Sequence, residues 1–249
     1  SFALAAAQGG SKVALVDPLP FDAQLAPSCD GRSTAIAFAA FRMFDALGVG
    51  EAMRAHACRM DRILVTDGRR PGAASRRPSP AFLRFDAAEI GDRTGGEPLG
   101  YMVENRHLRA VLSQAVLDRG LTVHAPAAVV SVEAGPRATV TLSDGRRLEA
   151  ALVVGAEGRG STVRKAAGIE ALGWGYDQAG VVATVRLDRD HGNVAHEYFL
   201  PDGPFAILPL TDRRASLVWT ESTRKGEALK AASDEAFHAH LRRRFGEFL

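Results

Sequence analysis

The amino-acid sequence predicts an α/β fold with two domains, and three observations support this prediction. Residues 2–17 form a helix-forming run, a glycine pair and a short apolar strand that ends in an acid, which is the second half of a βαβ nucleotide-binding unit. Three strand-like runs between residues 129 and 149 predict an antiparallel meander, because turn dipeptides stand at both joints. Four further runs between residues 175 and 220 predict the antiparallel sheet of a smaller α+β domain.

Composition narrows the function classes. The chain has 249 residues, of which 46% are hydrophobic and 24% charged, as in ordinary globular proteins. Lys and Arg number 31 against 29 Asp and Glu, so the net charge of +2 is too small to favour a nucleic-acid partner. No apolar stretch approaches the roughly 20 residues that cross a bilayer, and no signal peptide is evident. We therefore expect a soluble protein.

The cysteines and histidines predict neither a disulfide framework nor a metal site. Cys29 and Cys58 are too few for a metal quartet, and the 7 histidines lack the spacing of metal ligands. No Gly-x-Ser-x-Gly nucleophile motif occurs, so hydrolase chemistry is not expected. A reducing compartment, the cytoplasm, is the expected location.

The first 17 residues predict where a nucleotide would bind. The run Phe2–Gln8 favours a helix that the following glycines end. Lys12–Val16 is a short apolar strand, and Asp17 follows it. A carboxylate at the end of such a strand accepts hydrogen bonds from an adenosine ribose, although a plain loop acid beside Pro18 is the alternative. The glycine fingerprint of the unit would precede Ser1, so we expect the chain to be a fragment.

A second candidate lies at Asp30-Gly31-Arg32, where a cation stands ahead of a predicted helix. Arg32 suits a phosphate or a nearby acid, but surface loops contain such triples often. Ser33 or Thr34 is expected to cap this helix, and Gly48 to end it. Its apolar face would consist of Ile36, Ala40, Met43 and Leu47.

Residues 61–120 predict a hairpin followed by a helix. Two strands, Arg62–Val65 and Phe82–Phe85, flank a loop over Arg69–Pro80 that is rich in Arg, Pro, Ser and Gly. Helical periodicity runs from Leu108 to Val116, and Gly120 ends it.

After the meander, an apolar strand runs into a glycine-rich turn. Ala151–Val154 lacks alternation, so a strand buried on both faces is expected. It leads into Gly155–Ser161, and Ser161 can cap a helix over Thr162–Ala167. We expect this strand to lie beside Lys12–Val16 in one sheet and to frame a slot for an adenine-bearing coenzyme. By itself, the turn could equally be a structural joint.

The order of these elements resembles the FAD-dependent aromatic hydroxylases of the p-hydroxybenzoate hydroxylase fold. It includes Gly100–Asn105 ahead of a helix and the run Leu152–Arg164. The closest resemblance is to the polyprenylphenol hydroxylases of ubiquinone biosynthesis. The segments His196–Leu210 and Ser216–Trp219 carry that match.

The resemblance implies a Rossmann-like FAD-binding domain from residues 1–60 and 100–172, and a substrate-binding domain from residues 61–99 and 173–249. It implies that Asp17 binds the adenosine ribose of FAD and that Arg32 lies along the ribityl chain and the pyrophosphate. It also places Asn105 within reach of FAD. Glu157 and Gly158 belong to the family motif that contacts FAD and NAD(P)H. The family usually has Asp at the position of Glu157, so this chain departs from the motif there.

The implied function is an FAD- and NAD(P)H-dependent monooxygenase that hydroxylates an aromatic ring through a flavin C4a-hydroperoxide, using O₂. No catalytic side chain is expected, because the cofactor carries out the chemistry. Without the family's glycine-rich turn and its late Gly-Asp motif, we expect this piece alone to bind FAD poorly or not at all.

The substrate is expected to be a phenol without a carboxylate, prenylated, in a mostly apolar pocket. In benzoate-specific relatives an Arg at about the position of Thr211 pairs with the substrate carboxylate, which Thr cannot do. Strand alternation puts Ile207, Pro209 and Thr211 on one face as pocket residues. Plain core packing is the equal alternative for Ile207, Pro209 and Trp219.

Three other interpretations stay open. The chain could belong to a single-component phenol, salicylate or polyketide hydroxylase, or to a flavin halogenase, although the Lys and Trp-rich motif of halogenases is not seen. It could also be a nucleotide-binding module without turnover. A membrane-side substrate would favour peripheral association with the inner membrane or with a biosynthetic complex.

Overall fold

The computed structural model describes residues 1–25, 30–67, 83–200 and 203–245. The chain forms two compact units, one of Ser1–Pro27 with Leu112–Gly175 and one of Ser28–Val111 with Tyr176–Leu249. These bounds differ from the predicted domains in residues 28–60 and 100–111, which here belong with the second unit, and in residues 173–175, which belong with the first. The division by cofactor and substrate binding stays a prediction.

The described elements are numbered here in chain order. The helices are α1 (Phe2–Gln8), α2 (Asp22–Leu25), α3 (Phe38–Ala46), α4 (Gly50–Arg54), α5 (Gly91–Thr94), α6 (Asn105–Asp118), α7 (Thr162–Ala166), α8 (Thr223–Lys230) and α9 (Asp234–Phe245). The strands are β1 (Ala14–Val16), β2 (Ser33–Ala37), β3 (Ala57–Met60), β4 (Arg62–Asp67), β5 (Leu83–Asp86), β6 (Gly100–Glu104), β7 (Thr122–His124), β8 (Val129–Glu133), β9 (Ala138–Leu142), β10 (Arg147–Ala150), β11 (Gln178–Arg186), β12 (Val194–Leu200), β13 (Gly203–Leu210) and β14 (Arg214–Ser222).

The first unit contains the predicted helix, strand and meander. Helix α1 is followed by Gly10, whose φ of +84° is a conformation that favours glycine. Strand β1 pairs in parallel with β7. Strands β8, β9 and β10 form the antiparallel meander, with β9 in the middle. Its apolar core is built on Ala127, Val140 and Leu142.

The strand expected over Ala151–Val154 is wrong. These residues form no strand in the described structure, and β1 has β7 as its neighbour instead. Leu152 is 73% exposed and Val154 49% exposed, whereas Val153 packs against the same core as Val16. Of these four residues only Val153 packs against this core, and the run joins none of the described sheets.

The helix expected to begin at Ser33 or Thr34 starts later. Residues 33–37 are the strand β2, which pairs antiparallel with β6, and β6 in turn pairs with β3. The hydrogen bonds to β6 determine an extended conformation at Ile36, although this residue fits the helical periodicity of the sequence. Helix α3 begins at Phe38, and it buries Phe41 and Phe44 rather than Met43.

The second unit also contains the six-stranded sheet β11-β14-β13-β12-β4-β5. The hairpin β4–β5 and the four strands after residue 175 are confirmed, while the predicted loop over Arg69–Pro80 lies outside the described residues. Strands β4 and β12 are parallel, and every other pair is antiparallel.

The two faces of this sheet have different neighbours. One face carries Phe205, Ile207 and Leu217, which form a core with Leu229 of α8 and Leu241 of α9. The opposite face is partly covered by β3 and β6, through a second core. Its members are Cys58, Met60, Met102, Ala195 and Leu210, with Ile63 and Leu208 packed against them. The rest of this opposite face is described below.

Candidate functional site

Asp17 is held at the end of β1 by its main chain. Its N–H donates to the carbonyl of His124 at 3.1 Å, and its carbonyl accepts from the N–H of Ala127 at 2.8 Å. Its Oδ1 accepts from the N–H of Leu19 at 2.8 Å, whereas Oδ2 accepts no hydrogen bond from the described residues. One carboxylate oxygen is therefore available to a hydroxyl donor.

Asn105 and Arg32 lie together at the start of α6 and β2. The N–H of Asn105 donates to the carbonyl of Arg32 at 2.9 Å. The hydroxyl of Thr34 donates to Oδ1 of Asn105 at 2.6 Å, which fixes the orientation of the amide. Within the described ranges, Nδ2 of Asn105 donates to no other group. The structure thus leaves an oriented amide donor at this position.

The guanidinium of Arg32 is already occupied by its neighbour in the chain. Its Nε and Nη2 donate to Oδ2 of Asp30 at 3.0 and 2.7 Å. These hydrogen bonds lower the pKa of Asp30. Because the Arg32 side chain is 63% exposed, an approaching phosphate would meet it in solvent and in competition with Asp30.

Glu157 caps the helix that follows it. Its carboxylate accepts from the hydroxyl of Ser161 at 2.6 Å and from the N–H of Val163 at 3.0 Å. Burial opposes its charge, but these hydrogen bonds outweigh that effect and lower the pKa of Glu157. Ser161 caps α7 as predicted, because its Oγ accepts from the N–H of Arg164 at 3.0 Å. The carboxylate is therefore engaged within its own turn.

Two glycines make this turn possible. A Cβ at position 155 would lie 3.0 Å from the Cβ of Val163, so glycine lets the turn approach α7 without displacing Val163. Gly158 has a φ of +74°. The local geometry accounts for the glycines and for Glu157, while a contact of Glu157 or Gly158 with a cofactor stays a prediction.

The three predicted pocket residues have different surroundings. Ile207 is 1% exposed and belongs to the core against α8 and α9, as the packing alternative expects. Pro209 is also fully buried. Thr211 follows β13, and its Oγ1 accepts from Nη2 of Arg214 at 3.3 Å. Contact of these residues with a ligand stays a prediction.

A buried ion pair beside Asn105 escaped the sequence analysis. Glu104, 5% exposed, accepts from Nη1 and Nη2 of Arg214 at 3.2 and 2.9 Å and from Arg106 at 3.2 Å. Burial opposes ionisation, but the two arginines outweigh it and lower the pKa of Glu104. A charged residue that directly follows the apolar run Tyr101–Val103 was the signal that could have indicated it.

Cys58, His191 and Asn193 are close together but do not form an activated nucleophile. The Cys58 Sγ lies 4.0 Å from Nε2 of His191 and 3.8 Å from Oδ1 of Asn193. However, burial raises the pKa of the thiol to about 11, so it stays protonated at neutral pH. Nε2 of His191 lies 2.9 Å from the carbonyl oxygen of Leu210. Among the residues described, no three metal-ligating side chains gather into a metal site.

The face of the six-stranded sheet that β3 and β6 partly cover presents its remaining apolar side chains to solvent. Paired residues form a continuous row across all six strands, Val182–Val218–Ala206–Glu197–Val65–Leu83. Alternation places a second row on the same side, made of Thr184, Ser216, Leu208, Ala195, Ile63 and Phe85. We call these two rows, with Phe199, the apolar face.

The exposed large apolar residues of this sheet all lie on the apolar face. Among the described strands they are Leu83, Phe85, Val182, Phe199 and Val218, which are 37–55% exposed. The hydroxyl of Ser216 is buried in this face without a hydrogen-bond partner among the described residues. A contiguous apolar surface with a few polar groups is typical of a binding site.

Comparisons with known proteins agree with the predicted fold. A family model described as an FAD binding domain matches residues 6–248. The chain is 41% identical over 255 residues to the ubiquinone hydroxylase UbiL of Rhodospirillum rubrum, covering 100% of this chain and 55% of that protein. It is 33% identical to the 3-demethoxyubiquinol 3-hydroxylase of Escherichia coli K12, covering 98% of this chain and 60% of that protein. The chain thus spans little more than half the length of these relatives.

Solved structures give the same architecture. The pqsL protein of Pseudomonas aeruginosa superposes with a TM-score of 0.75 at 19% identity, over 97% of this chain and 62% of its own. HpxO of Klebsiella pneumoniae, solved with FAD, gives a TM-score of 0.67 at 18% identity, over 98% of this chain and 58% of its own. At these identities the likeness concerns the fold alone, and it confirms the predicted α/β class.

Proposed function

The chain belongs to the FAD binding domain family, and we propose that it is part of an FAD- and NAD(P)H-dependent monooxygenase that hydroxylates an aromatic ring in ubiquinone biosynthesis. The names of the relatives in Rhodospirillum rubrum and Escherichia coli, a ubiquinone hydroxylase and a demethoxyubiquinol hydroxylase, support the reaction class. They also support a prenylated ring as the substrate.

Two described residues fit FAD. Among the residues described, no group donates to Oδ2 of Asp17, which can therefore accept from a ribose hydroxyl, and none accepts from Nδ2 of Asn105, whose amide is oriented by Thr34. Arg32 fits less directly, because Asp30 holds its guanidinium. We therefore assign the strongest cofactor contacts to Asp17 and Asn105, and weaker ones to Arg32, Glu157 and Gly158.

When bound and reduced by NAD(P)H, FAD supplies the oxygen transfer to the ring. The side chains of the protein then have to hold an electron-rich ring and to keep water away. None of them has to act as a nucleophile in such a reaction.

The apolar face is the observation that carries the substrate assignment. Its side chains offer hydrocarbon and aromatic surface, which suits a prenylated ring and does not suit a free carboxylate. In its two rows the described residues include no Lys or Arg. A benzoate bound there would lack a cationic partner, so the site favours phenols over benzoates.

The test is an assay of the complete gene product saturated with FAD. We expect a prenylated phenol to stimulate NAD(P)H oxidation and to yield a product that is one oxygen atom heavier. FAD binding without any aromatic-dependent oxidation would contradict the proposal and would favour a nucleotide-binding module. Faster turnover of salicylate or of an unprenylated phenol would favour a single-component hydroxylase instead.

A further inference from the structure

Glu197 interrupts the apolar face near its centre. In the row across the sheet it stands between Ala206 of β13 and Val65 of β4. Its side chain therefore projects on the same side as Val218 and Leu83, which belong to the same row. An acid in the middle of an apolar row costs stability unless its charge is paired or hydrogen-bonded, because apolar neighbours desolvate it.

The surroundings of Glu197 leave its carboxylate without a partner. It is the one ionisable residue among the twelve described residues of the two rows, and it accepts no hydrogen bond from the described residues. Burial raises the pKa of this carboxyl. A hydrogen-bond donor arriving from outside the sheet would therefore find a free, poorly solvated acceptor.

We propose that the Glu197 carboxylate accepts a hydrogen bond from the ring hydroxyl of the substrate and so fixes the position of the ring on the apolar face. This inference rests on the proposed function, which supplies the phenol. Phe199, two residues farther along β12, and Val218, two strands away in the same row, offer apolar contact to the ring and to a prenyl chain, because both are exposed on the same face.

The same contact would select among aromatic rings. A phenol donates to the carboxylate, whereas its methyl ether has no proton to donate and leaves the acceptor unpaired. A ring that carries its own carboxylate would be repelled by Glu197, since like charges at short range oppose each other. Glu197 would thus be a specificity-determining residue for neutral phenols.

The experiment compares two matched probes, 2-prenylphenol and 2-prenylanisole, which differ in one methyl group. Their dissociation constants are measured by calorimetry on the FAD-saturated protein, for the wild type and for Glu197→Leu and Glu197→Gln. We expect the wild type to bind the phenol about tenfold or more tightly than the ether, since a hydrogen bond to a charged group contributes that much. Glu197→Leu should reduce the ratio to about one, and Glu197→Gln should give an intermediate ratio.

A matched control is Glu149→Gln, which removes a charge from the exposed end of β10 in the other unit. It should leave the ratio unchanged. A second readout uses 3-prenylbenzoate, whose affinity should increase in both Glu197 variants. Circular dichroism and the thermal midpoint show whether each variant is folded, and Glu197→Gln keeps the size of the side chain if Glu197→Leu does not fold.

The outcomes separate this inference from the proposed function. Equal affinity of the two probes for the wild type, or an undiminished ratio in Glu197→Leu, would overturn the role of Glu197 even if the enzyme hydroxylates phenols. If the ratio behaves as expected but no oxygenated product forms, the proposed reaction is wrong and the phenol site remains. If neither probe binds the folded wild type, both the role of Glu197 and the proposed function are wrong.

Discussion

The carboxylate of Glu104 accepts two hydrogen bonds from the guanidinium of Arg214, at 3.2 and 2.9 Å. Glu104 ends β6 and Arg214 begins β14, so this pair joins the sheet β2-β6-β3 to the six-stranded sheet. The next residue along the chain is Asn105, one of the two strongest cofactor candidates. The ion pair therefore stabilises the segment from which the Asn105 amide is presented.

Replacing Arg214 with Met should lower the free energy of unfolding by about 3 kcal/mol, because it leaves a buried carboxylate short of its main partner. Arg106 still donates to Glu104 and limits the loss. Urea unfolding at pH 7 measures the effect. The control is Arg147→Met, which removes an exposed pair with Glu133 at 3.7 Å and should cost less than about 1 kcal/mol. An equal loss of unfolding free energy in both variants would contradict a stabilising role of the buried Glu104–Arg214 pair.

The pair also predicts a dependence of stability on pH. The pKa of Glu104 is lower in the folded protein than in the unfolded chain, so its contribution is fully present above the unfolded value of 4.5. It is lost as the pH falls through the folded value. The stability difference between the wild type and Arg214→Met should therefore shrink below pH 4.5, and a difference that stays constant in that range would argue against the ion pair.

Glu157→Ala should destabilise α7, because it removes the acceptor of the Ser161 hydroxyl and of the Val163 N–H. Losses of helix caps are about 1 kcal/mol. Glu157→Gln should cost less, since an amide oxygen can still accept these hydrogen bonds. Urea unfolding of the two variants measures both effects. If Glu157→Ala binds FAD as the wild type does, the residue serves the turn and not the cofactor.

Asn105→Ala should weaken FAD binding by about two- to tenfold, as the loss of one neutral hydrogen bond does. Thr34→Val should have a smaller effect in the same direction, because Thr34 acts by orienting the amide. The double variant should resemble Asn105→Ala, since the two residues act through one contact. Flavin fluorescence titration measures the affinities. Gln114→Ala, an exposed amide on the same helix, is the control and should have no effect.

Thr211→Arg tests the predicted pocket. If Thr211 contacts the ring, the added guanidinium should pair with a substrate carboxylate and shift the affinity of the enzyme toward benzoates. In the wild type Oγ1 of Thr211 lies 3.3 Å from Nη2 of Arg214, a cation whose charge is neutralised by Glu104. Dissociation constants for a prenylated phenol and a prenylated benzoate measure the shift. Unchanged selectivity, in a folded variant, would remove Thr211 from the pocket.

Local signals in the sequence predicted much of the fold. The turn at Asp144-Gly145 joins β9 to β10, and Gly145 has the φ of +85° that such a hairpin turn favours. Gly120, with a φ of +63°, follows α6 as expected. These predictions succeed because the glycine and its neighbours determine the conformation without help from distant residues.

Long-range pairing accounts for the predictions that were wrong. Residues 33–37 are a strand because β6, about seventy residues later in the chain, supplies their hydrogen bonds. Ala151–Val154 is apolar enough for a buried strand, yet no described strand pairs with it. In both places the outcome depends on a partner that local periodicity does not contain.

The sequence by itself determined the kind and order of most elements, because these follow from residue types, glycines and spacing. Its motifs also resemble the family that the comparisons confirm, whereas the cofactor roles of Asp17 and Asn105 stay predictions. Only the tertiary structure decided which side of the large sheet packs against α8 and α9. Both sides of β13 are apolar, so alternation separates Phe205 and Ile207 from Ala206 and Leu208 without saying which pair meets the helices. The packing of α8 and α9 on one side leaves Glu197 on the other, and the separation of 110 residues between Glu104 and Arg214 is likewise bridged only in the folded chain.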